Sequence, residues 1–352
     1  MENPLVYFNG LFSGSKKHNR FLSLLFNRAE VTTEARQRPP LAVMVRKEIA
    51  DHIRSWRFLI LLLLILLTYA GSMYISLSNV KAAVANENDP DRLFLYLKLL
   101  TISDGSLPTF HIFISFLGAL LGISLGFDAI NAEQNAGTLT RLLAQPVYRD
   151  TLLLAKFLGA FTIVSTLFLS LALLMIGGGL FVTGVKIEGS EFIRIMAFVV
   201  VTVLYVGFWL ALSILFSVLF KQATTSALTV IGIWLFFTIF YRIVVSMIVK
   251  AFFPDPVYLS ESEVVSYQQL LLDFLRLAPS QLYTDATTTL LMPSVRSLGP
   301  LTMEQMAGAI PSPLSVRESL LIVWPQVTGL VAATAVCCAL TYYCFMRKEI
   351  RT

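Results

Sequence analysis

The side chains that could do chemistry in this chain are few, and they do not converge. Its three histidines, His18, His52 and His111, are far apart, with a long apolar run between the last two. A shared metal site is not expected from that spacing. Cys337, Cys338 and Cys344 fall within one apolar run, where a free thiol commonly acts as a small buried hydrophobe. No segment has the glycine–lysine spacing of a phosphate-binding loop, and neither H-E-x-x-H nor G-x-S-x-G occurs. Asp128 lies near the end of an apolar run, but an intramembrane aspartyl protease would need a second buried aspartate in another run, and there is none. The reading is of a chain with no catalytic residue, no metal site and no cofactor of its own.

One polar stretch is more informative. Residues 128–156 read DAINAEQNAGTLTRLLAQPVYRDTLLLAK. Glu133 precedes Gly137, which allows a sharp turn or a close backbone approach. Thr138 can cap the short helix that follows, and that helix carries Leu139, Leu142 and Leu143. Pro146 ends it, Arg149 follows, and Lys156 opens the next apolar run. Three leucines in a polar connector suggest a surface that docks on a partner. A well-capped connector is the plainer reading of the same residues.

Two further features sit inside apolar runs. Arg242 lies 17 residues past Thr225, about 25 Å along a helix, which places it near the outer interface. There it can snorkel to the headgroups, or touch a translocated substrate. Gly118, Gly122 and Gly126 recur every four residues and share one helix face. Such a face permits close helix approach, within one chain or between two copies.

The elements that must position these residues are membrane spans. Of 352 residues, 56% are apolar and 14% charged, against roughly 45–50% and 25% in soluble domains. Mean hydropathy is +0.73. Six continuous runs reach the roughly 20 residues that a helix needs to cross a bilayer: Phe58–Leu77, Phe110–Ile130, Leu152–Val182, Ile193–Phe220, Thr225–Val249 and Leu320–Phe345. The fold class is therefore all-α, a polytopic membrane protein with six transmembrane helices. The net charge of +5 does not signal nucleic acid, because the basic residues sort by membrane side. Segments 1–57, 131–156, 221–224 and 346–352 carry 17 of the 27 lysines and arginines. The positive-inside bias puts these segments, and both termini, in the cytoplasm. No cleavable leader is expected, since the first apolar run starts only near Phe58.

The remaining chain divides around the spans. Residues 1–40 form a polar, basic extension with an apolar patch from Phe21 to Phe26, read as an interfacial helix or a loose tail. Residues 41–57 read as an amphipathic helix with the stripe Val45, Ile49, Ile53 and Trp56. Residues 58–352 form the six-span domain. Within it, 250–319 is too long for a plain connection and reads as a small helical external segment, broken at Pro279.

The stretch Glu133, Gly137-Thr138-Leu139, Leu142-Leu143, Pro146, Arg149 and Lys156 resembles the type-2 ABC exporter permeases. The amphipathic RKEIADHIRSWRF resembles that family's elbow helix, and the terminal FMRKEIR its usual ending. The resemblance covers about Val43 to Arg351. It implies a permease subunit in the inner (plasma) membrane that pairs with a second permease chain, the same or homologous. It also implies two ABC ATPase subunits, which hold the ATP and Mg, and substrate movement through alternating conformations. By the same resemblance, Glu133, Gly137, Thr138, Leu139, Leu142, Leu143, Pro146 and Arg149 would couple the ATPase to the spans. The long extension and the large segment before the last span depart from a minimal permease, and an external accessory protein would fit the latter. Two other readings use the same spans: a channel or carrier without an ATPase, and a membrane anchor or sensor.

Overall fold

The computed structural model describes residues 40–85, 94–101, 108–138, 148–252, 261–294 and 313–348. Helix α1 (Pro40–Ile53) precedes α2 (Trp56–Ala85), and a short α3 (Leu95–Thr101) leads to α4 (Phe110–Gly126) and α5 (Asn131–Asn135). Then come α6 (Arg149–Thr183), α7 (Gly189–Leu219) and α8 (Ala223–Phe252), the last with a π-helical segment at Phe236–Phe240. Helices α9 (Glu261–Leu275), α10 (Pro279–Leu291) and α11 (Val316–Arg347) complete the described chain. Six of these elements are long and apolar enough to cross a membrane, and each coincides with an expected span. Every backbone group inside a bilayer must find its partner within the protein, and helices meet that demand residue by residue.

The helix ends follow local chemistry. Gly184 closes α6 at φ 67°, a left-handed position that suits glycine. Reciprocal capping boxes open α7 (Glu188 with Glu191) and α11 (Ser315 with Glu318). Glu191 also acts at longer range. Its Oε1 accepts the Tyr96 N–H at 2.9 Å, which ties the start of α3 to α7.

Helix α7 is the axis of the bundle and packs against α4, α6, α8, α10 and α11. Trp209, Tyr205, Val206 and Leu210 on it are fully buried. Helices α2, α8 and α11 lie at the periphery with large apolar side chains outward, among them Leu67, Leu228, Met247 and Trp324. The glycine face of α4 meets α7 of the same chain. A Cβ at Gly122 would stand 2.6 Å from the Val206 carbonyl oxygen, and one at Gly126 2.8 Å from Ser213 Cβ. That face is filled within the chain and has no room for a seam with a second copy.

Where it is described, segment 250–319 is helical, but its second helix is set among the spans. Tyr283 of α10 stacks on Tyr205 with ring centroids 4.5 Å apart, and its hydroxyl lies 3.2 Å from Thr202 Oγ1. Thr202 is 13 residues into α7, about 20 Å along its axis. Arg194, 1% exposed, holds this arrangement. Its guanidinium donates to the Leu290 and Leu314 carbonyls at 3.3 and 2.6 Å and to Ser319 Oγ at 2.8 Å. The Leu290 carbonyl belongs to the last turn of α10, where carbonyls lack helical partners and a cation is favoured.

The glycine packing gives a paired expectation. Gly122→Ala should lower the thermal midpoint of the detergent-solubilised protein, because overpacking typically costs about 1–3 kcal/mol. Gly232→Ala should leave it unchanged or raise it, since a Cβ there meets nothing within 4 Å and alanine is the better helix former by about 1 kcal/mol. Equal midpoints for the two variants would contradict the packing.

Candidate functional site

The end of the bundle that carries α1, here the elbow end, gathers the charges that the sequence disperses. Helix α1 lies against α6 at Gly159, where a Cβ would come within 2.8 Å of Glu48 Cβ. This close crossing buries Glu48 (6% exposed) beside Lys156 of α6 (5% exposed). Lys156 Nζ donates to both Glu48 carboxylate oxygens at 3.2 Å and to Glu133 Oε1 at 2.8 Å. One ammonium therefore joins three elements: α1, α6 and the corner helix α5. Lys47 lies beside the group, 3.2 Å from Glu48, 3.4 Å from Asp51 and 3.6 Å from Glu133. Arg57, at the start of α2, pairs with Asp128 at 2.6 Å and lies over the Phe127 ring.

The electrostatics follow from this geometry. Burial alone would raise the Glu48 carboxyl; Lys156 and then Lys47 outweigh it and hold the group below the usual glutamate range. Burial would also lower Lys47, but the carboxylates of Glu48, Glu133 and Asp51 leave it above its ordinary value. His52 is held below its ordinary value, first by burial, and is neutral at pH 7.

Other bonds fasten the corner to the bundle. Ser217 Oγ of α7 accepts the N–H groups of Ile130 and Asn131 at 2.9 and 3.2 Å, which supplies partners at the start of α5. Asn135 Nδ2 donates to the Lys221 carbonyl at 3.0 Å. Lys348 Nζ donates to the Val218 carbonyl at 2.6 Å in the last turn of α7, and Arg149 Nη1 reaches the Lys348 carbonyl at 3.4 Å. Ile130, Leu152, Val218 and Phe345 form the apolar cluster beneath these contacts.

The residues singled out by sequence are placed unevenly. Glu133 is engaged inside the corner. Gly137 has φ +68° with nothing within 4 Å of a Cβ, so it serves the turn and not a close approach. The Thr138 hydroxyl donates back to the Glu133 carbonyl at 3.2 Å. Leu139, Leu142, Leu143 and Pro146 lie outside the described residues. Arg242 is exposed in the second half of α8, away from the helix start that lies near this corner. Val45 and Ile49 of α1 are partly buried, whereas Ile53 at its end and Trp56, which opens α2, are exposed. Stripe counting missed Glu48, which stands about 60° round the helix from Val45, just outside the arc from Val45 to Ile49. Among the described residues, no three His, Cys, Asp or Glu side chains come together as a metal site.

The described residues therefore hold six membrane-length helices and a charge-locked corner at one end of them. A family model described as ABC-2 family transporter protein matches residues 42–350, and the chain belongs to that family. It is similar to two proteins named "Probable ABC transporter permease protein NosY". To that of Stutzerimonas stutzeri it is 27% identical over 296 residues, covering 82% of this chain and 95% of the relative. To that of Pseudomonas aeruginosa it is 30% identical over 209 residues, covering 58% and 68%. The chain is thus a transmembrane permease subunit of an ABC transporter.

Lys156→Met should leave buried Glu48 and part-buried Glu133 with only the half-exposed Lys47 as cation and cost up to about 3–5 kcal/mol, read as a lower thermal midpoint. Glu48 adds a pH signature. Its folded pKa is depressed, so its stabilisation is full above the usual glutamate value of about 4.3 and is lost as pH falls through the depressed folded value. Glu48→Gln should flatten this acid limb of the midpoint-against-pH curve. An unchanged curve would remove Glu48 from the network's energetics.

Proposed function

We propose that this chain is the membrane half of an ABC exporter in the plasma membrane, with the elbow end and both termini in the cytoplasm. Two copies, or this chain and a homologue, form the translocation unit. Two separate ATPase subunits bind beneath it and hold the ATP and Mg. The corner from Asn131 through the leucine segment ending at Pro146 is the surface on which they act. The observation that carries this reading is the shared ammonium of Lys156. A push on α5 is not absorbed locally, because Glu133 is bound to Lys156, Lys156 to Glu48, and α5 to α7 through Ser217. Closure of the ATPases displaces α1 and α6 with the corner, and the spans change between two arrangements.

Gly137→Val tests the contact. A β-branched residue at φ +68° costs of order 1–3 kcal/mol and re-aims the chain that follows. The variant should insert and fold, yet retain several-fold less ATPase on affinity purification and support slower ATP hydrolysis. Normal retention with normal hydrolysis would defeat the assignment. Orientation is read separately, with single cysteines in a background lacking Cys337, Cys338 and Cys344. Leu277→Cys should react with an impermeant thiol reagent on intact cells, and Tyr148→Cys only after permeabilisation. The reverse pattern would invert the topology.

A further inference from the structure

Span α8 is two helices joined at its π-helical turn, and the two have different neighbours. The first half, Ala223–Leu235, packs against α7 and α4 and places Val230 and Trp234 in the main core. The second half, Tyr241–Phe252, packs chiefly on α9. There Val245 and Val249 meet Leu275, with Leu270 and Leu271 beside them, as an apolar cluster separate from the main core among the described residues. Tyr241, Val245 and Val249 recur every four residues, so the covered part of this half is one narrow stripe. Ile243, Val244, Met247 and Ile248 around it are exposed.

The stripe ends at a common base. The Tyr241 hydroxyl donates to the Phe274 carbonyl at 2.7 Å, which joins the start of one helix to the end of the other. The pair is therefore an antiparallel hairpin, and its α8 arm of 12 residues is about 18 Å long. The hairpin also joins the bundle at this base. The π turn Phe236–Phe240 enters it on one side and lies beside α10. The tight turn at Leu277 and Ala278 leaves it on the other and leads into α10. Arg276 spans that exit, with Nε 3.2 Å from Asp285 Oδ2 of α10 and Nη1 3.4 Å from Asp273 Oδ1 of α9.

A π turn closes on i→i+5 bonds and is wider than the α turns that flank it, and helices bend at such turns. No residue of Phe236–Phe240 is buried, and the segment holds neither proline nor glycine. The wide turn is thus imposed neither by core packing nor by a helix breaker. It stands where one helix passes from the main core to a small core of its own.

We propose that the hairpin from Tyr241 to Leu275 is a flap that turns as one body on the bundle, hinged at the π turn and at Leu277. Its separate apolar core lets it move without opening the main one. A rotation of about 10° at the base carries the tip of the α8 arm about 3 Å. Arg276 is the pin that limits the swing. The motion belongs to the chain alone, so it needs no ATPase and no particular orientation in the membrane, and it can be absent while the permease reading stands.

The test uses the full chain in lipid nanodiscs, with Cys337, Cys338 and Cys344 replaced by alanine. Labelled chain is diluted with unlabelled chain, so that pulsed electron resonance reads distances within one chain. Spin labels at Lys250 and Gln268 report the hairpin itself, labels at Ser170 and Arg317 report the bundle, and labels at Lys250 and Ser170 report the angle between them; all four positions are exposed. The first two distributions should be narrow and the third about twofold wider. A π turn holds one residue more than an α turn, so removal of Thr238 should restore a continuous α-helix while each half keeps its face. That variant should keep the thermal midpoint and narrow the third distribution to the width of the others. Arg276→Gln should widen the third further and leave the other two as they are. A wild-type third distribution as narrow as that of the bundle pair would overturn the flap, and so would a broad hairpin pair. An unchanged third width in a folded Thr238 deletion would remove the hinge from the π turn. If that deletion lowers the midpoint, Arg276→Gln decides, and an unchanged third width there would overturn the pinned base.

Discussion

The structure of the elbow end depends on one constraint: a lysine ammonium withdrawn from water must be surrounded by acceptors. Lys156 meets it with three carboxylate oxygens from two other helices. Removing ions from water costs several kcal/mol each even after relaxation, so the network is weak evidence for extra stability. What it supplies is specificity of position. Glu48 and Glu133 satisfy the ammonium together, which fixes α1 against α6 and the corner against both. Gly159 is the steric condition for this, because only a bare backbone lets Glu48 approach α6 so closely.

The opposite end solves a similar problem with neutral partners. Arg194 is as deeply buried as Lys156, yet its acceptors are two carbonyls and a hydroxyl. The positive charge sits at the C-terminal turn of α10, where the helix presents unpaired carbonyl oxygen. That contact, with the Tyr283–Tyr205 stack, holds a polar-looking helix inside the bundle. The two ends thus differ in kind: one is an ionic hub that joins three elements, and the other is a neutral clamp on a single helix end.

Much of the fold was legible in the sequence. The six spans are continuous apolar runs, and length against bilayer thickness finds them without tertiary information. The depth of α10 was not legible. Thr287 and Thr289 read as external letters, but their hydroxyls donate to the Tyr283 and Asp285 carbonyls of their own helix, and Asp285 is matched by Arg276 and Gln281. The corner was found from Glu133 and Gly137, whose spacing carries a turn. Its mechanical partner Glu48 was not found, because periodicity counting assigns a carboxylate to the wet face unless its cation is known. That cation is 108 residues away. Arg194 escaped for the same reason, standing at the mouth of a span where an arginine ordinarily snorkels.

The central claim is that Lys156 makes α1 and the corner a single mechanical unit. Spin labels at Val43 on α1 and Ala136 beside α5, both exposed, would report it through their distance distribution in the purified chain. The account predicts one narrow distribution in the wild type and a clearly broader one in Lys156→Met at a temperature where both remain folded. Equal widths in the two proteins would show that the elbow helix and the corner are held together by something other than this ammonium.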